Sequence, residues 1–557
     1  MQETNYQTTI LPPSPTPTQD EYHPIVVVGA GPVGLSLAID LAQRGQAVVL
    51  VDDGDRFSVG SRAICFAKRT LDIWDRLGVG ERMVNKGVSW NVGKVFFRDE
   101  EVWHMNLLPE PLHRRPAFIN LQQYYCEGYL FERAQALGVD IRVKHKVIAL
   151  DNQPQQVTLH IQTPDGHYQI QTDWLLACDG ARSPLRGMLG QCSQGRIFQD
   201  RFLIADVRMK AHYPAERWFW FDPPFHPNQS VLLHSQPDGV WRIDFQLGWD
   251  ADPIEEVKEQ NVRPRVQALL GSDVDFEFEW ISIYTFACER MESFRFGRVF
   301  FAGDAAHRVS PFGARGANSG IQDSDNLAWK LDLYLRGLAP EQLLDSYCIE
   351  RHAAADENLL HSSRATDFIT PKSEISRLFR DTVLRLAKHH AFARSMVNSG
   401  RLSTPSSYPQ SPLTTPDEDT FASNMPLGAA ALDAPLRQQA QSTWWLSHLG
   451  DHFTLAMFNP RDDQLSSLSA LSQQELLHVV LIYPAQNAPV TPPSGFTVLH
   501  DHFGIWQQRY DAQSGAAFLF RPDQHLSARW RQPTVAKINA ALKRACGYQQ
   551  GDTYAEH

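Results

Sequence analysis

The stretch "IVVVGAGPVGLSLAIDLAQRGQAVVLVDD", Ile25 to Asp53, places three glycines, Gly29, Gly31 and Gly34, between an apolar run and an amphipathic one. Ile25 to Val28 read as a buried strand, and Val33, Leu37, Ala38 and Leu41 recur at helical spacing, so the glycines occupy a strand-to-helix turn. In such a turn the backbone N–H groups at the helix N-terminus point outward. Residues without side chains let a pyrophosphate approach there, and the helix dipole favours its charge. A second strand, Ala47 to Val51, runs into Asp52, 23 residues beyond Gly29 (52 minus 29). That is close to the roughly 20 expected of an acid that bonds a ribose hydroxyl. Strand, glycines, helix, strand and acid together predict a dinucleotide site, and leave open which dinucleotide.

Two later segments repeat this logic. In "LLACDGARSPLR" a buried strand runs into Asp179-Gly180, with Arg182, Ser183 and Arg186 just beyond. In "GRVFFAGDAAHRVSPFGARGANSGIQDSDNLAWKL" another strand meets Gly303-Asp304, and a loop with Gly313, Gly316 and Gly320 feeds a helix. Asp304 at a strand end can accept bonds from a ribityl hydroxyl, and the glycine loop can offer backbone donors to a phosphate or a heterocycle. Taken singly, Asp179 also reads as a turn cap, Asp304 as a helix N-cap and His307 as a buried, satisfied histidine. Three strand ends converging on one elongated ligand fit FAD better than NAD.

At 557 residues the chain exceeds what one core usually supports, so two or three domains are expected. With 43% hydrophobic and 21% charged residues it reads as an ordinary soluble protein, and a net charge of −11 without a basic cluster argues against a nucleic-acid partner. Residues 1–22, rich in Pro, Thr and Gln, have neither a basic start nor an apolar h-region, which predicts a disordered tail and no signal peptide or membrane anchor. Seven cysteines without CxxC spacing fit reduced thiols in a cytoplasm, and "HDH" at His500 to His502 reads as a surface turn, so no metal is expected. A β-rich block from Phe202 to Ala287 interrupts the α/β pattern as an inserted substrate domain. The pattern resumes at "GRVFFAGDAAH" and continues through a helical stretch from about Gly320 to His390. Residues 399–429 read as a linker, and a small α/β domain follows.

The trio GAGPVG, CDGARS and GDAAHRVSPFGARGANSG resembles the class A flavoprotein aromatic monooxygenases, most closely the branch containing 3-(3-hydroxyphenyl)propionate hydroxylase and phenol hydroxylase. The likeness covers about residues 24–390 with specific motifs and 430–557 more loosely. It implies an α/β protein with a Rossmann-like FAD-binding domain (23–90, 120–200 and 295–398), an inserted β-rich substrate domain (91–119 and 201–294) and a thioredoxin-like C-terminal domain (430–557). It implies FAD held at the adenosine end by Gly29, Gly31, Gly34 and Asp52, with Arg62 of "SRA" near the diphosphate and Gln123 of "QxxxExxL" on the flavin side. Gly303 and Asp304 would hold the ribityl chain. The loop Pro311 to Asn318, with Gly316, Ala317 and Asn318, would line the isoalloxazine, and Pro311 would border the place where oxygen adds. Asp179 and Arg182 would serve both FAD and the nicotinamide. One departure stands out: phenol hydroxylase carries an acid where Ile64 aligns, so a substrate-activating carboxylate is not expected there. The C-terminal segment has Cys546 as its only cysteine, which excludes dithiol exchange within it, because a disulfide needs two thiols. It reads as a structural appendage that could support a homodimer.

The implied reaction has NADH or NADPH reduce FAD, dioxygen add to give a flavin hydroperoxide, and one oxygen atom pass to a small aromatic ring. An apolar pocket with a few polar anchors suits this chemistry. Arg242, Asp244 and Gln246 recur at period two and share a strand face. If that face lines the pocket, Arg242 could anchor a substrate carboxylate and His234 accept a phenolic proton; otherwise it is a solvated face with an incidental ion pair. Tyr284 reads equally as pocket or sheet core. Oxidation of a bulky polyketide or antibiotic, or flavin binding without catalysis, are the alternatives to hydroxylation of a phenolic or related heteroaromatic compound.

Overall fold

A computed structural model of the chain describes residues 5–60, 62–210, 213–397, 402–423, 425–485 and 495–548. The apolar run of the opening motif extends to a strand, Glu21–Val28, at the centre of a parallel sheet. Val48–Asp52 and Asp140–Val143 lie on one side of it, Gly166–Ala177 and Val299–Phe301 on the other. Counted along the chain, the parallel strands stand in the order 3-2-1-4-5 of a dinucleotide-binding fold. Helices cover both faces, so Ile25, Val26 and Val27 are fully buried and the second half of the strand, Ile25 to Val28, is a continuous apolar run instead of alternating. Helix Pro32–Gln43 packs on Gly316–Leu335, and a hairpin, Val157–Thr163 with Gly166–Ala177, forms around Asp165-Gly166.

A second, eight-stranded sheet carries Val92–Phe97, Glu100–Asn106, Ser193–Met209, Arg217–Phe221, Ser230–Ser235, Val240–Leu247, Phe276–Met291 and the short strand His307–Arg308. Its register sets side chains in rows. Gly93, Arg217, His234, Arg242, Asp206 and Trp280 stand directly opposite one another across six strands and therefore share a face. Phe221, Ser230, Gln246, Phe202 and Tyr284 form a further row on that face, 4 residues along each strand (221 minus 217). The opposite face packs Leu233, Ile243 and Ala205 against helix Glu259–Leu270.

The C-terminal unit is a seven-stranded sheet built on Phe453–Phe458, which pairs in parallel with Leu477–Pro484 and antiparallel with Ala517–Phe520. Helix Val535–Ala545 follows the last hairpin, and Cys546 is buried among its apolar side chains.

Two expectations are corrected. The segment taken for a disordered tail is docked from Asn5 onward. Tyr6 is only 2% exposed, its ring meets Phe57, Tyr125 and Tyr129 edge-on, and its hydroxyl donates to Glu132. Residues 1–4 lie outside the described residues. The segment read as a linker is likewise packed where it is described: Leu413 enters the C-terminal core, Tyr408 and Ser411 bond to Arg351 and Glu350, and Asp417 pairs with Arg529. Residues 399–401 and Asn424 are outside the described residues. In both cases a few large or polar side chains reach buried partners that composition does not reveal.

The C-terminal unit is joined to the helices that cover the first sheet by buried charge. Glu350 receives Lys330 at 2.8 Å and Arg521, and Arg521 also pairs with Asp523, all at 2% exposure or less. Burial opposes the Glu350 charge, but Arg521 and Lys330 overcome it and hold the carboxyl far below its ordinary range. Removing one partner of such a lattice leaves an uncompensated buried charge. Arg521→Ala should therefore lower unfolding free energy by about 3–5 kcal/mol, read by urea denaturation, while Arg263→Ala at the exposed pair with Glu259 should leave it unchanged within error.

Candidate active site

The three glycine-bearing strand ends converge. The Gly29 N–H donates to the Val51 carbonyl at 2.8 Å, the Cys178 N–H to that of Val28 at 2.8 Å, and the Ala302 N–H to that of Ala177 at 3.0 Å. The glycines differ in what they do. A Cβ on Gly29, whose φ is +109°, would lie 2.4 Å from the Cys178 carbonyl oxygen, and one on Gly34 would lie 2.0 Å from that of Gly29. Both are demanded by packing. Gly31 has an ordinary φ of −76°, and a Cβ added to it would find nothing within 4 Å, so it borders open space at the N-terminus of a helix that begins with Pro32. This is a place where a diphosphate can meet backbone donors.

Asp52 closes the turn, accepting from the Ala30 and Gly54 N–H groups at 2.7 Å each, while burial raises its carboxyl pKa. Asp304 is exposed to solvent just past the strand Val299–Phe301, and desolvation by the surrounding protein raises its pKa. It accepts no hydrogen bond among the described residues, which leaves both oxygens for ligand hydroxyls. Asp179 takes the Leu185 N–H on one oxygen and leaves the other buried without a partner among the described residues. Arg186 bonds the Ala305 and Ala181 carbonyls at 2.8 and 2.9 Å, clamping the second strand end to the third. Arg182 is exposed at the rim. A glycine cradle, an open helix N-terminus and an unengaged carboxylate fit FAD.

Other predicted residues sit in the site but spend their side chains on the protein. Gln123 receives the Ala63 N–H at 3.1 Å and donates to Glu127, which in turn holds the Ser58 N–H at 2.6 Å; together they shape the loop that carries Arg62. Ser61 of the same loop lies outside the described residues. Asn318 accepts from the Ala67 N–H and Thr70 and donates to the Cys65 and Ala314 carbonyls, so any ligand contact must come from its backbone. The amides of Gly316 and Ala317 open the helix Gly316–Leu335, with Pro311 exposed on the turn before it. A Cβ on Gly303 would lie 2.9 Å from the Val33 side chain, and the Gly303 N–H donates to Asp323 at 2.8 Å.

Asp323 is a functional residue that sequence reasoning misses. It also accepts from His307 at 2.7 Å and pairs with Arg351, and these two partners overcome burial to keep its pKa low. Its signal is an acid on an otherwise buried helix face, in "GIQDSDNLAWKL"; its partner Arg351 lies too far along the chain to be matched by pattern.

The row on the second sheet faces this glycine constellation. His234 Nδ1 lies 3.8 Å from Cys65 Sγ, and the Cys65 carbonyl is bonded to Asn318 at 2.9 Å, so one residue touches both the sheet and the glycine loop. His234 is 3% exposed, and burial, aided by Arg217 and Arg242, depresses its pKa far below the ordinary imidazole range. Arg242 pairs with Asp244 at 2.7 Å and donates to the Arg62 carbonyl at 3.1 Å, fastening the loop to the sheet. Tyr284 stands opposite Phe202, whose ring meets Phe312 of the glycine loop at 4.8 Å. Ile64 is buried where a carboxylate was not expected.

Comparisons with known proteins agree with this geometry. Residues 22–362 match the model of the FAD binding domain family. The chain is 30% identical over 368 residues to 12-dehydrotetracycline 5-monooxygenase/anhydrotetracycline 6-monooxygenase of Streptomyces rimosus, covering 61% of this chain and 68% of that one. It is 26% identical over 537 residues to 3-(3-hydroxy-phenyl)propionate/3-hydroxycinnamic acid hydroxylase of Escherichia coli O157:H7, covering 92% and 93%. The crystal structure of the flavin-dependent monooxygenase PieE with FAD and substrate superposes with a TM-score of 0.79 at 22% identity, covering 94% and 99%.

Two outcomes test the site. Gly31→Val should leave thermal stability of the FAD-free protein unchanged and weaken FAD binding at least tenfold by flavin fluorescence titration, whereas Gly34→Ala should fail to fold. Because folded His234 resists a proton that the unfolded chain takes below about pH 6.5, stability should fall there by up to about 1.4 kcal/mol per pH unit from this residue alone. In urea titrations at pH 5 and pH 7, His234→Gln should show a smaller loss than the parent protein.

The family match over more than half of the chain, with full-length likeness to monooxygenases, establishes that the chain belongs to the FAD binding domain family and is a FAD-dependent monooxygenase.

Proposed function

We propose that this protein uses NADH or NADPH, FAD and dioxygen to hydroxylate a phenolic or related heteroaromatic compound. The observation that carries the reading is the meeting, at Cys65, of the glycine loop with a sheet face that is part apolar and part polar. Bound FAD supplies the oxygen activation; the chain binds, orients and excludes water. Backbone donors near Gly31 would hold the diphosphate, Asp304 the ribityl hydroxyls, and the amides of Gly316 to Asn318 the flavin ring. Asp179 and Arg182 remain candidates for the nicotinamide. Pro311, exposed on its turn, would border the reacting centre.

Phe202, Phe219, Phe221 and Leu232 give the facing sheet an apolar floor that keeps water from the reaction. Neutral His234 can accept a hydrogen bond from a phenol without holding its proton, which raises electron density on the ring. Tyr284 is half-buried in the same face and offers a hydroxyl. Arg242, already paired, acts as a positioning residue for the Arg62 loop.

The likeness to a tetracycline-modifying monooxygenase favours a second reading, in which the substrate is a polycyclic polyketide. Both are decided by measuring NAD(P)H consumption and product mass under labelled dioxygen with monocyclic phenols and tetracyclic phenols in parallel. One labelled oxygen atom in a monocyclic product is the expected result. Labelling confined to tetracyclic products would select the second reading, and peroxide alone with every compound would overturn both.

A further inference from the structure

Arg217 is 7% exposed, yet its guanidinium makes no hydrogen bond or ion pair among the described residues. Its ring contact is with Phe219, at 5.6 Å from the centroid. The carboxylate that acts on it at longer range, Asp244, is held by Arg242 at 2.7 Å. Buried guanidiniums are ordinarily paired, because an uncompensated charge out of water is strongly destabilising. Arg217 is the exception here, and burial pulls its pKa down.

Its position gives that isolation a purpose. Arg217 stands directly opposite His234 on one side and Gly93 on the other, on the sheet face that turns toward Cys65 and the glycine loop. Gly93 sets no side chain beside it, and a Cβ there would meet nothing closer than Met105, at 3.4 Å. The next groups along the face are neutral His234 and apolar Phe219. A planar anion entering between them would find a fork of donors, the neighbouring Asp244 carboxylate being held by Arg242.

We infer that Arg217 is the specificity-determining residue of the substrate pocket and receives a carboxylate of an aromatic acid, so that the substrate is an anion held by its acid group against the sheet. This rests on the sheet face being the substrate site, as proposed above, and extends it to the charge of the substrate. Arg242 loses the anchoring role that its sequence position suggested, because its donors are already engaged.

The test uses the FAD-loaded protein and binding alone, so it is independent of turnover. Perturbation of the flavin absorbance is titrated with two matched pairs, 3-hydroxycinnamate with 3-hydroxycinnamamide and 2-naphthoate with 2-naphthamide, in the parent protein and in Arg217→Gln and Arg217→Lys. The parent should prefer at least one acid over its amide by about tenfold or more, as a charge-assisted fork requires. Arg217→Gln should abolish that preference and Arg217→Lys should retain part of it. Arg217→Gln should also raise the melting temperature of the substrate-free protein, since it removes an unpaired buried charge; a structural arginine would give the opposite sign. The inference is overturned if the parent binds neither acid better than its amide, if Arg217→Gln keeps the preference, or if Arg217→Gln melts lower than the parent. Failure of hydroxylation with preserved acid discrimination would instead overturn the functional proposal and leave this one standing.

Discussion

Asp323 is the point on which the flavin side of this protein turns. Fully buried on helix Gly316–Leu335, it holds the Gly303 N–H, the His307 ring and the Arg351 guanidinium. The turn that presents Asp304 is therefore fixed from behind, and Asp304 is left facing the cleft. A carboxylate in that position is costly unless every oxygen is used, and here both are. Orientation of a loosely held turn is converted into a property of a helix core, which is how a polar ligand can be met by groups that do not have to reorganise.

The same helix carries the charge lattice to the C-terminal unit. Asp325 receives Arg69 and Arg76, Lys330 pairs with Glu350, and Arg521 and Asp523 reach in from the C-terminal sheet. Arg351 also touches Tyr408 of the connecting segment. A domain without a second thiol has no dithiol chemistry, yet it is bonded to the elements that carry the flavin loops. Its physical contribution is to bury one side of that helix and neutralise its charges.

Across the cleft the electrostatics are reversed. The second sheet presents two guanidiniums, a neutral imidazole and the Asp206 carboxylate in one row, with Asp244 paired to Arg242. Among the described residues, the guanidinium of this face without a paired carboxylate is that of Arg217, next to Gly93 and Phe219. On the reading proposed above, this asymmetry would orient a flat ligand by its charged end with its ring over the phenylalanines.

Much of this is legible in the chain itself. The glycine spacing of the opening motif, the strand-ending Asp52 and the two later Gly-Asp segments identify a flavin nucleotide fold, because tight turns and close helix packing leave few residue types any choice. Period-two spacing correctly places Arg242, Asp244 and Gln246 on one face, since the pleat of a strand is a local property. What the sequence could not determine was which of these groups are already satisfied. Gln123 and Asn318 spend their side chains on the backbone, Arg242 on Asp244, and Tyr6 and the 402–423 segment find buried partners far along the chain. Only the tertiary structure decides this, because hydrogen-bond satisfaction depends on which neighbours the fold brings within reach, whether two residues away, as for Arg242 and Asp244, or 253, as for Asn318 and Cys65, and with it the difference between Arg242, which is paired, and Arg217, which has no such partner among the described residues.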